Sequence, residues 1–508
     1  MNIVILGGGT AGWLAALYAK KYIPHNTLTV IESKQIGILG AGEGTTPQFL
    51  DILENLDIPV ELVLKHAKGT FKTGIKFTGW NKDNSSYFHP FTDTFDIHVK
   101  PYPVCKAILQ NNNLDSYMLS SIAGDNYKVK YRYRADTNNI NFNRKLGLSK
   151  FQALGTAALH FDARLLADLL SEIGRARGVQ VIDNIVEDVV TDENGYITKL
   201  NFADGANIET DFIFDCSGFA RLLVGKHYNA EWVSYLDSIP NDRALPFFIE
   251  NNTTQIPPYT ESIAMDNGWA WKIPVQGRFG CGYVYSSKYT TEEEVRLEIK
   301  NKFGEVNFPG RSFEFKAGCF KTQWVKNCMS LGLASGFIEP LEATSIWGVI
   351  ESLRLLLINM PGLLNRNEHY IEEFNKNTFR FNSEIVSFIY YHYITNKTNT
   401  KYWSEFRESN VPPAGYLEFE NKYKNTFRVN PELIDSFHRF SKSSFISVGV
   451  GIDFFNRQAV EEQYNALLCT HRWENFEEDL QYKLKELSTL AEQTIDHYYL
   501  IESIKNES

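Results

Sequence analysis

NIVILGGGTAGW, residues 2–13, opens the chain and decides its fold. The first five of these residues read as a strand. Gly7, Gly8, Gly9, Thr10, Ala11 and Gly12 form a GxGxxG turn into a helix carrying Ala15, Ala16, Leu17 and Ala19. A second apolar run, 28–31, ends in Glu32, twenty residues after Gly12. Glycines at this spacing let backbone approach a pyrophosphate, the helix start attracts its charge, and the acid takes a ribose hydroxyl. Gly7, Gly9, Thr10, Ala11, Gly12 and Glu32 are therefore expected to hold a dinucleotide. The glycines alone are a common pattern; strand, helix and acid at the right spacing make it specific.

This Rossmann-type start predicts an α/β protein, and the rest of the composition agrees. The 508 residues allow a large core in two or three subdomains, with ordinary hydrophobic (43%) and charged (22%) content. Aromatics at 14% suit large buried rings or a pocket for a flat molecule, and a net charge of −10 argues against nucleic acid. Six scattered cysteines form no CxxC or metal spacing, so they read as reduced thiols, no metal is expected, and the compartment is expected to be cytoplasmic. No secretion signal and no membrane-length apolar run is visible.

Later segments favour FAD over NAD. Residues 162–175 read as an amphipathic helix with Asp162 as N-cap and Gly178 past its end. Strands follow at 179–182, 185–191 and 197–202, then DFIFDCSG (211–218) as a strand running into a small-residue turn. Such recurrence resembles the flavoprotein monooxygenases, where separated segments converge on one extended FAD; 329–336 supplies the third. Arg164, Asp215 and Gly336 join the cofactor candidates. ILGAGEGTTP (38–47) reads as a glycine-rich strap across a ligand, adding Gly42, Glu43 and Thr45.

Three further stretches carry chemistry. GLASGFIEPLEATSIWG (332–348) reads as a sharp turn opening into a helix whose apolar pattern begins at Ile346. Its start suits an anion, yet Glu342 lies beside it, either complementing the helix dipole or acting chemically. FKTGIKFTGW (71–80) alternates, placing Lys72 and Lys76 on one strand face. A lysine there is ordinarily solvated; buried beside a carboxylate it becomes a reactive or hydrogen-bonding ammonium. GWAWKIP (268–274) puts Trp269 and Trp271 on one face, as core or as a wall beside a cofactor.

Together these motifs identify a resemblance to the flavin-dependent halogenases of the tryptophan halogenase family. GGGTAGW, FKTGIKFTGW, the WxWxIP within GWAWKIP, and GFIEPLEATSI carry it, supported by HFDARL (160–165) and DFIFDCSGF (211–219). The match extends from residue 1 to roughly 360, with YHYITNKTNTKYW (391–403) familiar beyond it. The resemblance implies FAD used as FADH2, with halide (chloride, bromide or iodide) and O2. A flavin C4a-hydroperoxide would be attacked by halide held at the amides of Thr344 and Ser345. Hypohalous acid would then travel to Lys72, with Glu342 as catalytic carboxylate and Trp269 and Trp271 as the flavin-side barrier. His89 and Phe91 resemble the substrate-side His-x-Phe. A separate NAD(P)H-dependent flavin reductase and a small indole- or phenol-like substrate are implied partners. Ser345 stands where tryptophan enzymes often carry glycine, and residues from Val411 onward show no tryptophan-binding pattern.

Two rivals stand beside this reading: an FAD aromatic monooxygenase, which leaves Lys72 without a role, and a non-catalytic flavin-binding protein. The expected organisation is an FAD module with an interleaved substrate-side sheet over 1–375 and a mostly helical region over 376–508. In the latter, 385–393 and 475–504 read as helices.

Overall fold

Asn2–Leu6 pairs in parallel on both sides, with Thr27–Glu32 and with Phe212–Asp215. Parallel strands bury both faces, and Ile3, Val4, Ile5, Ile213 and Phe214 are accordingly all buried. The computed structural model describes residues 1–35, 43–91, 96–130, 157–423, 426–427, 439–470 and 475–507. They divide into two units. One comprises Met1–Gly69, Phe161–Leu236 and Glu314–Ser383; the other comprises Thr70–His160, Asp237–Phe313 and Glu384–Ser508. The chain therefore passes between the units several times.

The first unit is built on a six-stranded sheet. Its order is Trp324–Val325, Cys328–Ser330, Phe212–Asp215, Asn2–Leu6, Thr27–Glu32, Gln180–Asp183. Helix Thr10–Tyr22 returns the chain from the first strand to the second, and helix Ala163–Ala176 packs beside it. Gly174 permits that approach, since a Cβ there would lie 2.5 Å from the Trp13 ring. Asp162 caps the second helix through the N–H groups of Arg164 and Leu165, as read. A three-stranded antiparallel meander, Val186–Thr191, Ile197–Phe202 and Asn207–Glu209, matches the strand and turn signals of that region.

The second unit carries a seven-stranded sheet. Six of its strands run in the order Arg243–Glu250, Arg278–Tyr285, Gly268–Val275, Thr260–Met265, Gly74–Thr78, Ser86–Pro90. Helices follow at Lys442–Gly451, Arg457–Thr470, Phe476–Glu492 and His497–Glu507. Leu480 and Leu487 of one, with Val460 of another, pack into a core with Val104, Cys105 and Ile108. Among the described residues, no helix is long and apolar enough to cross a membrane.

Two expected elements are corrected. The alternating run from Phe71 is not one strand: Thr70–Lys72 pairs with 158–160, whereas Gly74–Thr78 joins the large sheet. Between them the Thr73 N–H leaves the ladder for the carbonyl of Pro258. Nor is 475–504 one helix. Its leucine repeat stops at Leu490, and Ile495–Asp496 pairs as a short strand with Lys128–Val129 before the last helix starts. The β-branched pair Thr494 and Ile495 marks the break.

Candidate active site

The nucleotide cradle of the first unit is shaped by what its glycines leave open. Gly7 has φ +121, and a Cβ there would sit 2.2 Å from the carbonyl oxygen of Cys216. A Cβ on Gly12 would sit 1.9 Å from the Gly7 oxygen. Gly9 is the N-cap of helix Thr10–Tyr22, and nothing lies within 4 Å of a Cβ added to it. The helix start at Thr10 and Ala11 has no side-chain cap and no acid in its first turn. Open space before an uncapped helix start fits a pyrophosphate, so the residues present fit FAD. Glu32, at the end of the second strand, is oriented by Arg175, whose Nη2 donates to it at 3.3 Å.

The remaining cofactor candidates divide. Thr45 is buried, and Glu43 has its carboxyl pushed up to about 7 by burial and by the charge of Asp162. Arg164 is exposed on the first turn of its helix. Gly336 pairs against the Gly318–Phe320 strand, where a Cβ would meet the Cys319 Cβ at 2.7 Å. Gly42 lies outside the described residues. Asp215 is held by its own turn. Its Oδ1 accepts from the Ser217 N–H and hydroxyl, and its Oδ2 from the N–H groups of Leu223 and Val224. With both oxygens engaged, its side chain shapes the turn after its strand.

The turn after Ser330 folds against this cradle. Leu331 donates to the Asp215 carbonyl, and Gly332 (φ +61) brings the chain so close that a Cβ would lie 2.9 Å from that of Ala11. Glu339 and Glu342 are both buried, at 1% and 2% exposure. Ala343 donates to the Pro340 carbonyl and adopts left-handed φ 55, ψ 36, which costs an L-residue about 1–2 kcal/mol. Helix Thr344–Ile358 then starts two residues before its apolar pattern, with no side-chain cap and no acid in its first turn. The amides of Thr344 and Ser345 lie at that start and suit a small anion.

In the second unit Lys72 ends a three-residue strand and is 0% exposed, with Nζ 4.9 Å from the centre of the Phe91 ring. Lys76 has a different fate, pairing with Asp125 at 2.5 Å. The sheet change at Thr73 separates two lysines that the sequence places on one face. His89 is buried, edge-on to Phe388. Two further buried histidines surround the Lys72 strand, and their roles were not read from the sequence. His160 Nδ1 contacts the Thr70 hydroxyl at 3.1 Å, and Nε2 contacts the Thr260 hydroxyl at 2.9 Å. Thr70 gives its own proton to the Pro274 carbonyl, so His160 carries its proton on Nδ1. Burial and the Lys72 charge hold His160 well below the usual histidine range. His497 is pulled down to about 4 by burial, against the opposing pull of the Ile256 carbonyl and Asp496. His160 belongs to HFDARL, whereas His497 stands in no motif.

Both histidines fold neutral, which fixes the sign of a pH effect. Their stability contribution is full above about 6.5 and is lost as pH falls towards the depressed folded value. For His497 that amounts to roughly 3 kcal/mol. Urea unfolding from pH 7 to 4 is expected to show this loss, with a flatter slope in His497→Gln. An equal slope in that variant would refute the assignment.

Trp269 and Trp271 share a face of the Gly268–Val275 strand, with ring centres 6.2 Å apart. Trp269 packs further against Trp80. Trp271 lies flat over its cross-strand partner Gly282, where a Cβ would sit 2.1 Å from the indole. These contacts make a rigid indole wall within this unit.

The first unit thus holds a nucleotide cradle of the kind flavoproteins use and an uncapped helix start beside buried glutamates, and the second holds a buried lysine. The tryptophan halogenase family model matches residues 2–465, further than the motifs alone reached, and the chain belongs to that family. It is 28% identical to tryptophan 6-halogenase SttH of Streptomyces toxytricini, over 89% of each chain. It is 30% identical to tryptophan 7-halogenase RebH of Lentzea aerocolonigenes, over 85% of this chain and 84% of RebH. Among solved structures it matches Tar14, a tryptophan C-6 flavin-dependent halogenase from taromycin biosynthesis, at 26% identity, TM-score 0.84 and 99% of each chain. BrvH, a flavin-dependent halogenase from Brevundimonas sp. BAL3, matches at 25% identity, TM-score 0.80 and 99% of each chain. The chain is thus a flavin-dependent halogenase using FADH2, halide and O2.

Proposed function

We propose that this enzyme halogenates a freely diffusing indole- or phenol-like substrate, with Lys72 presenting the oxidant. The observation that carries this is the burial of Lys72 over Phe91 between histidines held neutral, while Lys76 is committed to Asp125. Bound reduced flavin supplies the activation of oxygen that converts halide to hypohalous acid. The amides of Thr344 and Ser345 hold the halide. The Lys72 ammonium holds hypohalous acid by a hydrogen bond from Nζ and gives a proton to its oxygen, so that the O–halogen bond breaks, halogen passes to ring carbon and the oxygen leaves as water. Glu342 takes the proton released when the ring rearomatises. Trp269 and Trp271, rigidly packed, keep the organic substrate off the flavin. His89 and Phe91 line the substrate side.

SttH and RebH are tryptophan halogenases, but residues from 411 onward offer no tryptophan-binding pattern, so we assign the broader class. The sequence holds one complete dinucleotide fingerprint, which supports a separate NAD(P)H-dependent flavin reductase as partner. Six unpaired cysteines support a cytoplasmic location.

The test is mass spectrometry of an indole and phenol panel with FAD, a flavin reductase, NADH and oxygen, and chloride, bromide and iodide supplied separately. A halogen mass shift is expected. Gain of one oxygen instead would establish the monooxygenase.

A further inference from the structure

Lys72 is bracketed by two anchors on one neighbouring segment, 256–258. On its C-terminal side, Thr73 gives its N–H and its hydroxyl to the Pro258 carbonyl, at 2.7 and 2.9 Å. On its N-terminal side the anchor is an imidazole. The Phe71 N–H donates to Nε2 of His497 at 3.0 Å, and Nδ1–H of the same ring donates to the Ile256 carbonyl at 2.9 Å. His497 is itself fixed: it is 0% exposed, and its backbone N–H donates to the Tyr127 carbonyl. The Ile495–Asp496 strand just before it is paired with Lys128–Val129. Accepting at one nitrogen while donating at the other requires a neutral ring with its proton on Nδ1. A second proton on Nε2 would confront the Phe71 N–H.

We propose that His497 is a positioning residue for Lys72, its imidazole bridging the Lys72 strand to the 256–258 segment. This rests on the reading of Lys72 given above. The bridge matters because the strand is only Thr70–Lys72 and the chain changes sheets immediately afterwards. Ladder bonds alone give such a short strand little rigidity. His497 fixes the amide one residue before the lysine, Thr73 fixes the one after it, and the starting point of the flexible side chain is set between them.

The experiment compares His497→Leu, His497→Gln and His497→Asn, each checked by circular dichroism and thermal melting. Each is assayed with flavin reductase, FAD, halide and an indole or phenol acceptor. The quantity read is aryl halide formed per hypohalous acid captured by a trapping dye. A purely stabilising His497 would change the amount of folded protein and leave this ratio alone. His497→Leu is expected to lower the ratio about tenfold to a hundredfold, the penalty of ångström-scale misplacement. Glutamine places an acceptor where Nε2 was and should restore most of it. Asparagine keeps only the donor to Ile256 and should not. In the protein without cofactor, hydrogen exchange of the peptide spanning 70–73 should speed up in the leucine variant and slow again in the glutamine variant. A wild-type ratio in His497→Leu, or rescue by asparagine equal to that by glutamine, overturns the proposal. Lys72→Ala runs alongside. Wild-type product there would overturn the Lys72 reading and this inference together; loss of product there, with an unchanged His497→Leu ratio, would overturn the positioning role alone.

Discussion

Lys72→Ala is expected to cut aryl halide formation at least about a hundredfold, the scale on which a positioned acid–base group contributes, while hypohalous acid still reaches a trapping dye. The variant should fold. A fully buried cationic side chain is costly to keep, and circular dichroism and thermal melting of the variant check its fold. Removing that charge also relieves His160, whose titration should move upward, a shift visible by NMR even without flavin. Lys76→Ala is the control. It gives up a partly exposed pair with Asp125, worth about 0.2–1 kcal/mol at most, and should keep near-normal product. Product at the normal rate from Lys72→Ala would leave the buried lysine as a structural oddity and remove the central step of the proposed mechanism.

The contrast between these two lysines shows how far the sequence could be read. Motif likeness distinguished Lys72 from Lys76, but strand periodicity could not, because both share one parity. Only the structure reveals that the chain changes sheets at Thr73, so that parity carries no common face across it. The cradle was more legible because its determinants are local. Gly7, Gly9, Gly12 and Glu32 lie within one strand–helix–strand unit, and each has a backbone reason for being what it is. The surroundings of Asp215 were hidden for the opposite reason. A carboxylate after a strand looks available in sequence, and its commitment to Ser217, Leu223 and Val224 depends on how the following turn closes. His497 was illegible altogether. It acts on Phe71 across 426 positions of chain, a separation at which no spacing rule speaks. The same non-local pairing explains the broken C-terminal helix: helical periodicity sees the leucines but not Lys128–Val129 waiting to pair with Ile495–Asp496.

Two glycine variants should separate the fold of the cradle from its binding. Gly9→Ala is expected to leave the melting temperature of the cofactor-free protein unchanged. Gly9 has φ −78 and ψ −177, which alanine adopts freely, and its new methyl would meet nothing within 4 Å. That empty space is where the helix start and the glycine turn direct a pyrophosphate, so the methyl competes with the ligand and not with the protein. FAD affinity should therefore fall in a protein of undiminished stability. Gly12→Ala makes the opposite kind of change. Its methyl would collide with the Gly7 carbonyl oxygen at 1.9 Å, a backbone atom that cannot swing aside. Overpacking of this kind costs about 1–3 kcal/mol, and a backbone contact this short belongs at the upper end. Stability and FAD binding should fall together, the latter by about a hundredfold if the whole cost of about 3 kcal/mol appears in binding. Flavin-fluorescence titration and thermal melting of both variants decide the matter. If Gly9→Ala binds FAD as tightly as the parent, the pyrophosphate does not occupy the space before the Thr10–Tyr22 helix. The fingerprint at residues 7–12 would then be a feature of the fold without being the cofactor's seat.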